Sequence, residues 1–248
     1  MLSKGRIKEL TSLHLKKYRS ARNMFLAEGD KLVREAIRSS AQVEEIFAME
    51  SWAGAEKAIQ SGIPVTFTGE RELKQLCELK SPNEAVALVH MPKHIIEEVE
   101  FKGHWNIYMD RLRDPGNLGT IMRIADWFGL ERIICSPDSV EPYNQKVIQA
   151  SMGAVFRIEV IAMEEDVMLA QARAAQVPIY AAAMGTLSID TLAAGPEGIV
   201  LMGNEAQGLS NKLLEAADQR ISIPGKGAAE SLNVAVAAGI LMHWIQRG

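Results

Sequence analysis

Short apolar runs alternate with stretches of helical periodicity along the first hundred residues. In the helical stretches, apolar residues recur every three or four positions, as in Leu32, Val33, Ala36 and Ile37, which is typical of a helix with one buried face. Because strands that alternate with helices usually pair in parallel, this part of the chain predicts a mainly parallel sheet covered by helices. The predicted strands are Met24 to Ala27, Val43 to Met49, Val65 to Thr68 and Ala85 to His90, and the predicted helices are Asp30 to Ser39, Trp52 to Ser61 and Glu70 to Leu79.

A second alternating series begins after a charged stretch without periodicity, from Met91 to Gly103. We expect a linker in that stretch and two α/β domains, residues 1–95 and residues 96–248. The second series predicts strands at Asn106 to Asp110, Arg132 to Ser136, Phe156 to Ile161, Pro178 to Ala183, Gly198 to Met202 and Arg220 to Ile223, and helices at Leu118 to Phe128, Asn144 to Ala150, Glu165 to Ala175, Asn211 to Ala217 and Ser231 to Ile245.

The composition is that of an ordinary globular protein: 248 residues, of which 48% are hydrophobic and 23% charged. Disorder, collagen and a disulfide scaffold are therefore excluded. No apolar run reaches the roughly 18 residues of a membrane span, and the N-terminus lacks the apolar core of a signal peptide, so we expect a cytoplasmic protein without a membrane partner. Cys77 and Cys135 lack the spacing of a zinc or redox site, which predicts reduced thiols and no metal.

The net charge of −4 conceals an asymmetry between the start of the chain and the rest. Residues 1–40 carry ten basic and four acidic side chains, a net +6 that leaves −10 for the remaining residues. Two interpretations stay open, since a basic arm on an acidic body can contact a polyanion such as RNA, or can simply be a solvated helical face.

Ligands of open α/β sheets bind beyond the carboxyl ends of the strands, and the loop after Asp110 lies at such an end. There a Pro-Gly turn precedes a helix that we expect to begin near Asn117, with Gly119 in its first turn and Arg123 further along. Either Asn117 caps the helix and Arg123 lies on its surface, or both reach one cavity near the helix start. The Gly-x-Gly-x-x-Gly fingerprint of dinucleotide sites is absent from this loop.

A later apolar strand delivers Gly203, Asn204 and Glu205 into a turn that Gly208 closes. The helix that follows needs only Ser210 as its N-cap. Neither the turn nor the helix therefore requires Glu205, and it is a candidate functional carboxylate.

The last loop begins at Ile223 and Pro224, which ends the strand, and continues through two glycines. We expect Ser231 to be the N-cap of the final helix. Asn233 would then lie inside the helix, where asparagine is unfavourable, so capping alone does not explain its presence. The helix is rich in alanine and glycine, which permits close packing against another backbone.

Together these three loops resemble the motifs of the SpoU (TrmH-type) RNA ribose 2′-O-methyltransferases of the SPOUT superfamily. The resemblance covers roughly residues 105 to 247, and each block alone would be weak. The N-terminal part, with Lys17, Arg19 and Phe25 to Val33, is more loosely similar to the substrate-binding domain of many members. The matching positions are Asn117, Gly119 and Arg123; Gly203, Glu205 and Gly208; and Ile223, Pro224, Ser231, Leu232, Asn233 and Val234.

The resemblance implies a fold, a cofactor and a set of site residues. The fold would be a SPOUT α/β catalytic domain with a deep C-terminal trefoil knot, preceded by a smaller α/β RNA-binding domain, in a homodimer. S-adenosylmethionine would be held in the knot, and no metal is needed. Carried over by position, the residues that contact the cofactor would be Gly203, Asn204, Ile223, Leu232 and Ala183, and the catalytic residues would be Arg123, Asn117, Glu205, Ser231 and Asn233.

The implied reaction is methyl transfer from S-adenosylmethionine to a ribose 2′-hydroxyl of RNA, and we expect ribosomal RNA rather than transfer RNA. A guanidinium is always protonated in proteins, so we assign Arg123, oriented by Glu205, to phosphate binding and oxyanion stabilisation. The alternatives are a transfer RNA 2′-O-methyltransferase, a non-catalytic RNA-binding relative and another nucleotide-dependent α/β enzyme. The chain departs from the family at Gly225 and Ala235, where methionine and serine are common.

Overall fold

The computed structural model describes residues 2–78, 84–93, 99–204 and 207–247. The chain forms two compact units, one made of Met1–Lys93 with Tyr143–Arg157 and the other of His94–Pro142 with Ile158–Gly248. Across the described residues, no helix is long and apolar enough to cross a membrane. The predicted helix end at Leu79 and part of the predicted linker, residues 94–98, lie outside the described residues.

The first unit contains a four-stranded sheet with the order β1-β4-β2-β3. Its core is formed by leucine, phenylalanine and valine side chains, among them Leu26, Phe47 and Leu88. The strands are β1 (Met24–Glu28), β2 (Val43–Ala48), β3 (Val65–Phe67) and β4 (Ala85–His90), and the helices are α1 (Lys4–Thr11), α2 (Lys16–Arg22), α3 (Asp30–Arg38), α4 (Ala55–Gln60), α5 (Glu70–Leu76) and α7 (Gln145–Ser151).

The prediction of a mainly parallel sheet is wrong for this unit. β4 lies between β1 and β2 and runs antiparallel to both, and only β2 and β3 pair in parallel. The apolar run in β4 indicates a buried strand. A buried central strand has the same pattern whether it pairs with its neighbours in parallel or antiparallel.

Two helices near the N-terminus were not predicted. In α1 the only buried residue is Leu10, and in α2 the only buried residue is Arg19, so neither helix has the apolar stripe that periodicity detects.

The second unit contains a six-stranded sheet in which every pairing is parallel, as predicted. The order is β10-β8-β9-β5-β6-β7. The strands are β5 (Trp105–Met109), β6 (Arg132–Cys135), β7 (Glu159–Ala162), β8 (Ile179–Ser188), β9 (Gly198–Met202) and β10 (Gln219–Ser222), and the helices are α6 (Pro115–Phe128), α8 (Glu165–Ala174), α9 (Asn211–Ala216) and α10 (Val234–Ile245).

Helix α10 packs along α6 in the same direction. A Cβ added at Gly239 of α10 would lie 3.4 Å from Cδ1 of Ile124, and the rings of Phe128 and His243 are 5.9 Å apart near the other ends. The small residues of α10 thus permit the close packing expected from the sequence. The deep knot stays a prediction.

Candidate active site

A cavity of about 760 Å³ opens at the carboxyl ends of β8, β9 and β10. This volume lies within the range of roughly 300 to 1,000 Å³ that small-molecule pockets occupy. All five residues predicted to contact a cofactor lie in its lining: Ala183, Gly203, Asn204, Ile223 and Leu232.

An interruption of strand pairing forms one wall of the cavity. β10 pairs with β8 at Arg220 and Ala181, and the next pair is Ile221 with Leu187, so residues 182–186 of β8 leave the ladder. Gly185 adopts a φ of +69°, and the Thr186 hydroxyl donates to the Ala183 carbonyl at 2.8 Å. The excursion is therefore an ordered loop that exposes backbone groups to the cavity.

The turn after β9 forms a second part of the cavity wall and requires glycine at 203. A Cβ there would overlap the carbonyl carbon of Gly208 and the nitrogen of Leu209. The side chain of Asn204 accepts from the Gln207 amide at 2.8 Å, and the Gly208 amide donates to the Asn204 carbonyl at 3.0 Å. Glu205 lies outside the described residues.

The described lining of the cavity is mainly apolar and carries one charge. Met202, Leu209 and Leu232 are among the apolar residues of its lining, and Glu230 is the one ionisable side chain among the lining residues that the structure describes. A ligand with a flat apolar part and a positive charge is compatible with this lining, because no described basic side chain opposes it.

Two of the predicted catalytic residues meet directly. The amide Nδ2 of Asn233 donates to Oδ1 of Asn117 at 3.0 Å. Oδ1 of Asn233 accepts from the amides of Ala235 at 2.9 Å and Val236 at 3.4 Å, so Asn233 also caps α10. One side chain therefore fixes the start of α10 and joins it to the first turn of α6.

The expected cap at Ser231 is wrong, and so is the interpretation, one of two left open, in which Asn117 caps its helix. Asn233, not Ser231, is the N-cap of the last helix, which begins at Val234 and so places asparagine at a favourable cap rather than in the helix interior. Helix α6 begins at Pro115 with Asp114 as its cap, and Asn117 donates its backbone amide to that aspartate at 2.8 Å. The Asn117 side chain is thus left for other contacts.

The remaining predicted catalytic residues have different surroundings. Ser231 is exposed and lines the cavity. Arg123 is exposed on α6, one position before Ile124, and makes no hydrogen bond or ion pair with a residue that the structure describes. In the structure, Asn117 is therefore hydrogen-bonded to Asn233, and Ser231 is part of the cavity wall. The Arg123 guanidinium is available to bind a ligand.

Sequence reasoning missed a charged pair at the end of β5. The carboxylate of Asp110, which is 4% exposed, accepts from Nε and Nη2 of Arg111 at 2.9 Å each and from the Ser210 amide at 3.1 Å. Arg111 Nη1 donates to Oε1 of Gln207 at 2.8 Å. Hydrogen bonding to Asp110 raises the pKa of the Arg111 guanidinium. The available signal was an Asp-Arg pair directly after a buried apolar strand.

Two family models match the chain, one in its N-terminal part and one in its C-terminal part. The SpoU rRNA Methylase family model matches residues 104–243, and the MRM3-like substrate binding domain model matches residues 4–87. The chain is 31% identical over 242 residues to the 23S rRNA (guanosine(2553)-2′-O)-methyltransferase RlmP of Bacillus subtilis, covering 97% of this chain and 96% of that protein.

Two further relatives extend the comparison. The 23S rRNA (adenosine(1067)-2′-O)-methyltransferase of Streptomyces laurentii is 27% identical, over 91% of this chain and 86% of that protein. The crystal structure of an AdoMet-bound rRNA methyltransferase from Sinorhizobium meliloti is similar with a TM-score of 0.89 and 30% identity, covering 100% of this chain and 96% of that one.

Proposed function

Because the chain belongs to the SpoU rRNA methylase family, we propose that it transfers a methyl group from S-adenosylmethionine to a ribose 2′-hydroxyl of ribosomal RNA. The observation that carries the proposal is the cavity at the strand ends, whose lining includes both sequence neighbours of Asn233, the residue that is hydrogen-bonded to Asn117. Ribosomal RNA is favoured over transfer RNA because relatives that match nearly the whole chain are named for 23S rRNA.

The cavity suits S-adenosylmethionine in size and in charge. Its apolar walls would hold the adenine, and the carboxylate of Glu230 is compatible with the positive charge of the cofactor. When bound, the cofactor supplies a methyl group already activated by a sulfonium. Ala183, Gly203 and Asn204 would orient it through the two ordered loops, and Ile223 and Leu232 would orient it from the segment between β10 and α10.

The side chains near the cavity then have to orient the ribose and stabilise its oxygen as the hydroxyl proton passes to solvent. Arg123 stays protonated, so its guanidinium would bind the phosphate beside the target ribose and stabilise negative charge on the attacking oxygen. Glu205 would orient that guanidinium. Asn117, Asn233 and Ser231 would fix the ribose by hydrogen bonds.

The charges of the first unit are compatible with an RNA partner. Among residues 1–40 the five arginines are engaged inside the unit; for example, Arg6 pairs with Glu45 at 2.7 Å and Arg22 with Glu9 at 2.7 Å. The lysines have no carboxylate partner in the described part of the chain, so their charges are available for phosphates. These lysines are Lys4, Lys8, Lys16, Lys17 and Lys31.

The protein would act as a homodimer in the cytoplasm, where ribosomal RNA is available to it. An exposed aromatic supports the assembly: Trp127 of α6 is 85% exposed, and it lies one helical turn beyond Arg123. Val236 of the adjacent α10 is 52% exposed.

Labelled methyl transfer to 23S rRNA tests the function. We expect the label to survive alkaline hydrolysis in a dinucleotide, because a methylated 2′-hydroxyl cannot take part in cleavage. Arg123→Ala should abolish transfer and keep the calorimetric affinity for S-adenosylmethionine, whereas Arg173→Ala, on the exposed face of α8, should keep both. Label recovered on a base, or a fully active Arg123→Ala variant, would contradict the proposal.

A further inference from the structure

We propose that Arg111 is a positioning residue for cofactor binding, because it ties the end of β5 to the loop that closes the cavity. No role follows for it from the family motifs, which begin at Asn117. That the ligand is S-adenosylmethionine rests on the proposed function. The Arg111 bridge, by which we mean its hydrogen bonds to Asp110 and Gln207, is a property of the unliganded chain. The evidence comes from the backbone of Arg111, its side chain and the position of its partners.

The backbone of Arg111 is held in an unusual conformation. Its φ is +55°, in the left-handed region that residues other than glycine seldom adopt. The amide of Arg111 donates to Ser136 Oγ at 2.8 Å, and the next amide, of Leu112, donates to Ser139 Oγ at 3.0 Å. The surroundings thus enforce a turn that aims the Arg111 side chain at its partners, as is often seen at functional sites.

The side chain of Arg111 joins two segments that are nearly one hundred residues apart. Its fork binds both carboxylate oxygens of Asp110, which is the arrangement that an arginine fulfils and a lysine cannot. Its remaining nitrogen donates to Oε1 of Gln207. Asp110 in turn accepts from the amide of Ser210, so the pair holds residues 207–210 at both ends.

The segment held in this way is part of the cavity. Gln207, Gly208 and Leu209 all belong to its lining, and the backbone of Gly208 and Leu209 packs against Gly203. Without the Arg111 side chain, the buried carboxylate of Asp110 would lose the guanidinium and keep the Ser210 amide as a donor. The side-chain oxygen of Gln207 would lose the hydrogen bond that Arg111 donates to it. The segment would then be less often in the closed arrangement that a cofactor needs.

Three substitutions separate the side chain from the backbone. Arg111→Gly removes the bridge and relieves the strain of the positive φ, Arg111→Ala removes the bridge and keeps that strain, and Arg111→Lys keeps the charge without the fork. We expect Arg111→Gly to weaken S-adenosylmethionine binding about tenfold by calorimetry on the full chain without RNA, as loss of a charged hydrogen bond would. Arg111→Lys should recover only part of the affinity.

The bridge also predicts non-additivity with Gln207. Gln207→Ala should weaken cofactor binding in the wild-type background and add little in Arg111→Gly, since the shared contact is already absent. The KM for S-adenosylmethionine should rise with little change in the KM for RNA. Arg113→Ala is the matched control: this exposed arginine two positions later should leave cofactor affinity unchanged.

Hydrogen exchange of residues 207–210 in the unliganded chain gives a result that does not depend on the cofactor. We expect exchange in Arg111→Gly to be faster there than in the wild type and unchanged in the β6 strand. Unchanged exchange at 207–210, or wild-type cofactor affinity in Arg111→Gly, would overturn the inference. If the wild-type chain bound no S-adenosylmethionine but the exchange result held, the proposed function would fail and the bridge would stand.

Discussion

At the scale of single residues, Asn233 has two separable tasks. Its Oδ1 caps α10, and its Nδ2 reaches Asn117. Serine caps a helix about as well as asparagine but is too short for the second contact, so Asn233→Ser should keep the stability and lose most of the methyl transfer. Asn233→Ala should also lose about 1 kcal/mol of unfolding free energy.

Urea unfolding and methyl transfer measured on the same preparations separate these two tasks. Equal activity in Asn233→Ser and the wild type would show that the contact with Asn117 is dispensable. A large loss of stability in Asn233→Ser would show that the cap depends on more than the side-chain oxygen.

Whether a site residue could be predicted depended on whether its role leaves a pattern in the local sequence. The glycine at 203 could be identified from a motif because only glycine fits that turn. The contact between Asn117 and Asn233 joins positions 116 residues apart, and only the family resemblance grouped them in advance. The Asp110-Arg111 pair after a buried strand was visible in the sequence, but the left-handed backbone of Arg111 was not, because it is enforced by the surroundings and not by the preference of arginine.

At the scale of elements, the turn between β9 and α9 should tolerate no side chain at its start. In Gly203→Ala the new Cβ would overlap the backbone of Gly208 and Leu209, so the turn must shift and the cavity wall with it. We expect loss of cofactor binding and a lower melting temperature. Gly195→Ala is the matched control, because Gly195 is not among the lining residues of the cavity, the nearest atom to a new Cβ is 3.9 Å away and the φ is not positive.

Calorimetry with S-adenosylmethionine and thermal unfolding check both glycine variants. An unchanged affinity in Gly203→Ala would mean that the cofactor does not depend on this wall. Equally weakened binding in Gly195→Ala would show that the loss in Gly203→Ala is not specific to this wall.

The elements themselves were predictable where burial and periodicity coincide. In the second unit, the predicted and observed bounds of β9 are the same, and the other strands differ mainly at their ends. β8 extends to Ser188, beyond its predicted end, because it resumes pairing after residues 182–186. Such a return depends on tertiary contacts with β10, which no local pattern encodes.

At the scale of the whole chain, one part of the domain organisation could not be predicted. Residues 143–157 belong to the first unit although they follow β6 of the second unit in sequence. Within the first unit, Gln149 donates to the Glu28 carbonyl at 3.0 Å, and Arg157 pairs with Glu35 at 2.6 Å. Composition does not change at either end of this segment, so the sequence marks only the linker near residue 95.

The proposed homodimer makes a prediction about Trp127. An indole that is 85% exposed in one chain leaves a large apolar surface in water, and burial in an interface would remove it. We expect light scattering to give twice the 27.2 kDa mass of one chain for the wild type and a single-chain mass for Trp127→Glu, in which a carboxylate would have to be buried. Ile59→Glu is the control, since Ile59 is also exposed, at 55%, but lies in the first unit, and this variant should stay dimeric. A dimeric Trp127→Glu, or a wild type that stays a single chain at every concentration, would show that this face of α6 has another use.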